Sequence, residues 1–310
     1  MPRQNFGRKD EKMMTFQKFT EKVMEKMKEL AGEQYEIRKE EKLKNNGVRQ
    51  TGITAVRQGE HVFPIVYLEP YYNDYLYGEG TVCETVEELC KILEEHMGKS
   101  LQSLRINDLR EWETTKDRVS AKLVNAEMNR ELLEQVPHRI VMDLAEIYFV
   151  KVGRCGQEGF GTILVRNEQE QAWGVDENIL HETAIKNLME ESGEFVSMAE
   201  IMKEVGKSGR DPEMDDPEMY VLTNQSRLYG AAELLDGNML KRIAEQLQGD
   251  YMILPSSVHE LIVLKDTDRP HNELADMVKE INSTCLAPDE VLSNHVYRYD
   301  RNTREVSIAA

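Results

Sequence analysis

The chain has 310 residues, 40% of them hydrophobic and 31% charged, enough apolar material for a sizeable core and near the length at which one core gives way to two. A net charge of -18 argues against a protein built to hold the phosphate backbone of nucleic acid, which needs clustered Lys and Arg to displace counterions. With no apolar run of about 18 residues and a polar start, the expectation is an acidic, cytoplasmic protein of bacterial type with neither a membrane span nor a secretory leader.

Residues 1–13 read as a disordered tail, and the expected fold begins near Thr15. Phe16, Phe19, Val23, Met27 and Leu30 recur at the spacing of one helix face, and Gly32 ends that helix. Tyr35 and Ile37 then alternate with charged residues. Asn45-Asn46-Gly47 supplies the positive backbone angles of a tight reversal into Gly52–Val56, which predicts a β-hairpin. Val62–Leu68 reads as a further strand, with Pro64 favouring an edge or a bulge because it has no N–H to donate. Thr85 and Glu88 form a plausible capping box for a helix carrying Val86, Leu89, Cys90, Leu93 and Met97, closed by Gly98. Residues 14–115 are thus expected to form an N-terminal α+β subdomain.

The central segment, residues 116–207, reads as a strand from Val119, a short helix around Asn125–Leu133 and a strand over Asp143–Val150. A loop rich in glycine follows (Gly153, Gly156, Gly159, Gly161), then Thr162–Val165. The glycine order matches neither a Rossmann nor a P-loop fingerprint, so a hairpin loop is expected. Residues 177–190 and 195–205 read as helices. Residues 208–219 repeat Asp-Pro-Glu-Met in one acidic loop, whose spacing is not that of a calcium-binding EF-hand.

Residues 220–300 carry the clearest pattern. Tyr220–Thr223 is a strand, Leu234–Leu247 a helix, Tyr251–Leu254 and Leu261–Leu264 two strands, Leu274–Ile281 a helix, and His295–Tyr299 a last strand. This β-α-β-β-α-β succession predicts a ferredoxin-like unit, followed by a tail over residues 301–310. The fold class expected for the whole is α+β, with antiparallel sheets and packed helices.

Charge is uneven along the chain: residues 1–110 carry 18 basic and 19 acidic side chains, leaving nearly all the negative excess to the remainder. The four cysteines, at positions 83, 90, 155 and 285, lack the close pairing of zinc or redox motifs and read as reduced structural residues. The histidines, at 61, 96, 138, 181, 259, 271 and 295, include no i, i+4 pair of a helical zinc site. No metal and no cofactor is expected.

Four sets of residues have the types of catalytic or binding chemistry. Ser257, His259 and Glu260 hold a hydroxyl, an imidazole and a carboxylate, as acyl transfer requires, but no Gly-x-Ser-x-Gly elbow frames the serine, and on a tight turn such residues also serve as backbone caps. Asp143 and Glu146, with Lys151, echo loosely the carboxylate and lysine set of metal-dependent nucleases. For binding, Tyr71, Tyr72 and Tyr75 form an aromatic cluster suited either to recognition or to packing a short helix. Asn224, Tyr229 and Gly230 precede a helix whose amides suit an anion or a simple cap.

Several segments resemble an uncharacterised family of proteins from Clostridia, the domain of unknown function numbered five-six-eight-eight. They are Gly52–Thr54, Pro64–Tyr72, Asp143–Tyr148, Tyr220–Asn224, Tyr229–Ala232 and Asp250–Ser257. The resemblance spans about Met14 to Tyr299 and is shared in the C-terminal half with another uncharacterised family from bacilli. It implies a bacterial cytoplasmic protein and brings no catalytic residue. The expected function is therefore binding or regulation through contacts with another protein, without nucleic acid or membrane. The alternative is an enzyme, a hydrolase or metal-dependent nuclease, whose site forms only in three dimensions.

Overall fold

The computed structural model describes residues 13–32, 35–57, 65–97, 109–155, 159–204, 219–255, 257–266 and 270–310. The chain divides into two compact units. The first comprises residues up to Lys44 and Arg49–Ser103, the second Asn45–Val48 and Leu104–Ala310. What reads in sequence as a separate central segment and C-terminal unit thus belongs to one body, which begins before the expected boundary at residue 116.

In the first unit, α1 (Phe16–Ala31) starts at Thr15, whose side chain accepts the N–H of Lys18, and stops at Gly32, where φ is +70°. It buries Phe19, Val23 and Met27, each worth about 1.5–3 kcal/mol relative to exposure. β1 (Tyr35–Leu43) and β2 (Arg49–Arg57) pair antiparallel from Tyr35↔Arg57 to Leu43↔Arg49, and Asn46 and Gly47 between them take the expected left-handed backbone. β3 (Val66–Tyr67) adds to β2, whereas Val62–Pro64 lie outside the described residues. α2 (Glu69–Tyr77) and α3 (Val82–Met97) follow. The capping box of α3 is not Thr85 with Glu88. Thr81 Oγ1 accepts the N–H of Glu84 and donates to Glu84 Oε2 at 2.7 Å, while the Thr85 hydroxyl turns back to the Thr81 carbonyl inside the helix. The same four-residue pattern occurs one turn earlier, and the earlier copy takes the free amides.

The second unit opens with α4 (Trp112–Thr115), β4 (Val119–Asn125), α5 (Arg130–Leu133) and β5 (His138–Val141), then β6 (Leu144–Cys155) and β7 (Gly159–Leu164). β6 pairs with β4 along one side, while β5 and β7 pair with its first and second halves. The strands therefore run through most of the glycine-rich stretch, with a register shift between Val152 and Arg154. Next come α6 (Asn167–Trp173), α7 (Glu177–Glu191), β8 (Gly193–Ser197) and α8 (Met198–Glu204). Residues 195–197, expected to be helical, pair instead with β9 (Met219–Asn224). The acidic loop falls almost wholly outside the described residues.

The helix expected over Leu234–Leu247 is two elements. A buried 3-10 helix, Gly230–Leu235, ends at Asp236, whose carboxylate caps α9 (Gly237–Leu247) through the N–H of Asn238 at 2.8 Å. β10 (Tyr251–Leu254), β11 (Leu261–Lys265), α10 (His271–Thr284) and β12 (Tyr297–Asp300) complete the β-α-β-β-α-β succession. β13 (Glu305–Ile308) lies where a tail was expected, paired with β12. Among the described residues the sheet runs β13-β12-β10-β11-β9-β8, every neighbour antiparallel. β11 thus lies between β9 and β10, the split βαβ arrangement. β12 adds beside β10, where a ferredoxin-like unit would place it beside β9, because β8 occupies that edge. The fold is α+β with antiparallel sheets.

Candidate functional site

The 3-10 helix Gly230–Leu235 brings together two sets of residues that are far apart in sequence. Asn224, at the end of β9, closes the loop before it: its side chain donates to the Leu228 carbonyl at 2.9 Å and accepts the Leu228 N–H at 3.2 Å. The loop delivers Tyr229 into the left-handed region, φ 57° and ψ 31°, a conformation uncommon for a bulky side chain and costing about 1–3 kcal/mol. Gly230 follows, buried against backbone. A Cβ at this position would lie 2.2 Å from Thr223 Oγ1, 2.5 Å from the His259 carbonyl oxygen and 2.8 Å from the Asn224 nitrogen.

The second set arrives from the β10–β11 connection. His259 Nδ1 accepts the Tyr229 N–H at 3.2 Å, which leaves the proton of the neutral ring on Nε2, and its ring stacks on that of Tyr229 at 5.6 Å and 12°. Ser257 Oγ accepts the His259 N–H at 3.0 Å, a turn bond rather than the contact between hydroxyl and imidazole nitrogen that a nucleophile needs. Glu260 is exposed. The sheet around β6 completes the surface: Phe149 meets Tyr229 edge-on at 5.2 Å, and Lys122 Nζ stands 4.3 Å from the centre of its ring, a cation–π contact. Tyr229, His259 and Lys122 are all partly exposed. Sequence reading misses Lys122 and Phe149, and the only local hint of them is strand alternation in β4 and β6.

Asp143 and Glu146 lie three residues apart and serve different partners. Asp143, in the turn before β6, accepts from Ser293 Oγ at 2.6 Å, Tyr297 Oη at 2.7 Å and His295 Nδ1 at 3.0 Å. Burial works to raise this carboxyl, but the three donors outweigh it and hold it below its ordinary value. Ser293 Oγ and the Asp143 carboxylate meet His295 at the same nitrogen, Nδ1, at 3.4 and 3.0 Å, whereas a serine–histidine–aspartate relay needs them on opposite ring nitrogens, so none forms. Glu146 is wholly buried, with both oxygens 2.9 Å from His181 Nδ1, and burial pushes its carboxyl up against the opposing pull of that contact. Two residues further along β6, Tyr148 Oη donates to Glu177 at 2.6 Å, and Arg139 grips Glu177 with two bonds of 3.0 Å. Glu177 and His181 share a face of α7 at i, i+4, a signal that was readable in sequence. Lys151 pairs with Glu191. The proposed nuclease trio is therefore not assembled, and among the described residues no group of three or more His, Cys, Asp or Glu is arranged to hold a metal ion.

The tyrosines of α2 lie in the first unit. The rings of Tyr72 and Tyr75 stack at 6.1 Å and pack on Phe16 and Phe19, with Tyr72 Oη donating to the Met14 carbonyl at 2.8 Å. Tyr71, also half-buried, packs against the same core, and burial, then the neighbouring Glu88, raises its phenol. The ring left open to solvent on this helix is Tyr77, 81% exposed.

No described helix is long and apolar enough to cross a membrane. A model of a family of unknown function (DUF5688) matches residues 16–301. No curated protein and no solved structure matches the chain.

Proposed function

The chain belongs to this family of unknown function, and from that premise we propose that it is a non-enzymatic binding or regulatory protein of the cytoplasm whose recognition surface is built around Tyr229. The observation that carries the reading is the left-handed backbone of Tyr229. The fold holds an aromatic residue where glycine would be free of strain, and sets its ring between an imidazole, an ammonium and a phenyl edge. Backbone strain of this kind persists where the surroundings impose it and concentrates at sites of function. A rigid aromatic ring with donors around it has the composition of an interaction hot spot. Lys122 and the Nε2–H of His259 are both donors, so the complementary partner is a protein segment carrying a carboxylate beside an apolar side chain.

The test is site-specific photo-crosslinking in the cell that makes the protein, with the reactive group at Gln225, an exposed residue of the Asn224–Tyr229 loop, and at Asn302 as a remote exposed control. The expected result is a discrete adduct from position 225, absent from position 302 and lost with Tyr229→Ala. Equal adduct patterns at both positions would sink the proposal.

A second reading, an enzyme of unrecognised type, has one observation in its favour. The Glu146–His181 pair, a buried carboxylate fixing an imidazole through Nδ1, is how enzymes orient a general base. An activity abolished by His181→Gln and untouched by Tyr229→Ala would favour this reading over the first.

A further inference from the structure

Glu233, four residues after Tyr229, is 0% exposed, and neither of its carboxylate oxygens has a hydrogen-bond partner among the described residues. Buried carboxylates are ordinarily paired or hydrogen-bonded, because an isolated charge loses its hydration with nothing in return. The space it occupies is shaped for it. Gly193, the first residue of β8, leaves room: a Cβ there would lie 2.2 Å from Glu233 Oε2 and 2.6 Å from the Met239 methyl. The charged groups facing Glu233 come from four elements. Asp236, after the 3-10 helix, and Glu191 of α7 oppose a negative charge, while Arg242 of α9 and Lys151 of β6 favour one. The two cations are already engaged, Lys151 with Glu191 and Arg242 with Met239 Sδ at 3.3 Å. Burial first, then the acidic neighbours, push the Glu233 carboxyl up to about 8.

We propose that Glu233 is a proton-operated latch on the Tyr229 surface, holding the 3-10 helix against β8 while it carries its proton and releasing that packing when it ionises. The proposal rests on the reading of Tyr229 as the recognition site. Both sides of the latch lead there. Tyr229 is the N-terminal cap of the helix that bears Glu233. Gly193 pairs in register with Asn224, whose side chain closes the loop into Tyr229. An ionised carboxylate cannot remain in this closed position without a donor, and the nearest relief is movement of the edge strand β8 or of the helix. The sign follows from linkage: a raised acid favours the closed packing fully below its ordinary value of 4.5, and the advantage disappears as pH rises through about 8.

The experiment is hydrogen exchange of the full chain, read by mass spectrometry from about pH 6 to 9.5 and corrected for intrinsic exchange, on peptides covering Gly193–Ser197 and Gly230–Leu235, with β2 of the first unit as internal reference. In the wild type, protection of both peptides is expected to fall about tenfold relative to β2 as pH rises from 7 to 9. Glu233→Gln and Glu233→Leu remove the titrating group, one by an isostere and one by an apolar side chain, and both profiles should be flat. A flat wild-type profile, or a variant that follows the wild type, overturns the latch. Because this readout needs no partner, it fails or succeeds independently of the crosslinking result.

Discussion

Gly230→Ala isolates how tightly the candidate site is built. The new Cβ would meet the Asn224 nitrogen and the His259 carbonyl oxygen, both backbone atoms that no rotamer change can move, together with Thr223 Oγ1. Two costs add. Overpacking of a closed site is worth about 1–3 kcal/mol, and displacing Thr223 Oγ1 loses its 2.8 Å bond to the His259 carbonyl, about 0.5–1.5 kcal/mol. The sum, about 1.5–4.5 kcal/mol, is a large share of the about 5–15 kcal/mol that holds a typical domain. Both tryptophans, Trp112 and Trp173, lie in the second unit with ring centroids 5.5 Å apart, so their fluorescence in a urea titration reports that unit alone. With a urea slope of about 2–3 kcal/mol/M, the midpoint should fall by about 1 M. Gly237→Ala is the control, since a Cβ there meets nothing within 4 Å; it should be neutral or stabilising by up to about 1 kcal/mol. Equal midpoints for the two variants would refute the close approach at Gly230.

Three further outcomes follow from single contacts. Asp143→Asn removes the charge that three donors share and should cost about 2–4 kcal/mol near neutral pH. Because Asp143 is held below its ordinary 3.8, its contribution is present above that value and disappears as pH falls beneath it, so the stability difference between wild type and variant, followed by urea titration, should narrow in acid. Tyr229→Gly and Tyr229→Ala lose the same ring contacts and differ in the left-handed backbone, so the glycine variant should be the more stable by about 1 kcal/mol in the same titration, the reverse of the order inside an α-helix. Thr81→Ala should weaken α3 by about 1 kcal/mol and speed exchange of the Glu84 amide, an acceleration that Thr85→Ala should not produce.

Elements with strong local signals were legible in the sequence. The apolar spacing of α1 and the Asn-Asn-Gly reversal between β1 and β2 each encode their geometry within a few residues. β8 was not, because Phe195 and Val196 carry too short an alternation to outweigh the helices on either side, and its strand character comes from pairing with β9. Asp236 gave the break between the 3-10 helix and α9 only a weak signal, since a cap inside an apolar run looks like a surface position. At the site, Asn224, Tyr229, Gly230 and His259 stood out by residue type, but as two unconnected groups; the β9–β11 pairing and the turn at Ser257 join them. Lys122 and Phe149 come from strands about 80 to 110 residues earlier. Glu233 gave no signal beyond the small residues before it, because burial without a partner is a property of the surroundings and not of the residue.

The most direct measurement is the affinity of the protein recovered from the position-225 adducts, titrated by calorimetry against wild type, Tyr229→Gly and Lys122→Glu. The expected result is a loss of about tenfold or more for each variant, equivalent to about 1.4 kcal/mol, with the fold of each variant intact by tryptophan fluorescence. Affinities equal to wild type in both folded variants would contradict the assignment of recognition to the Tyr229 surface.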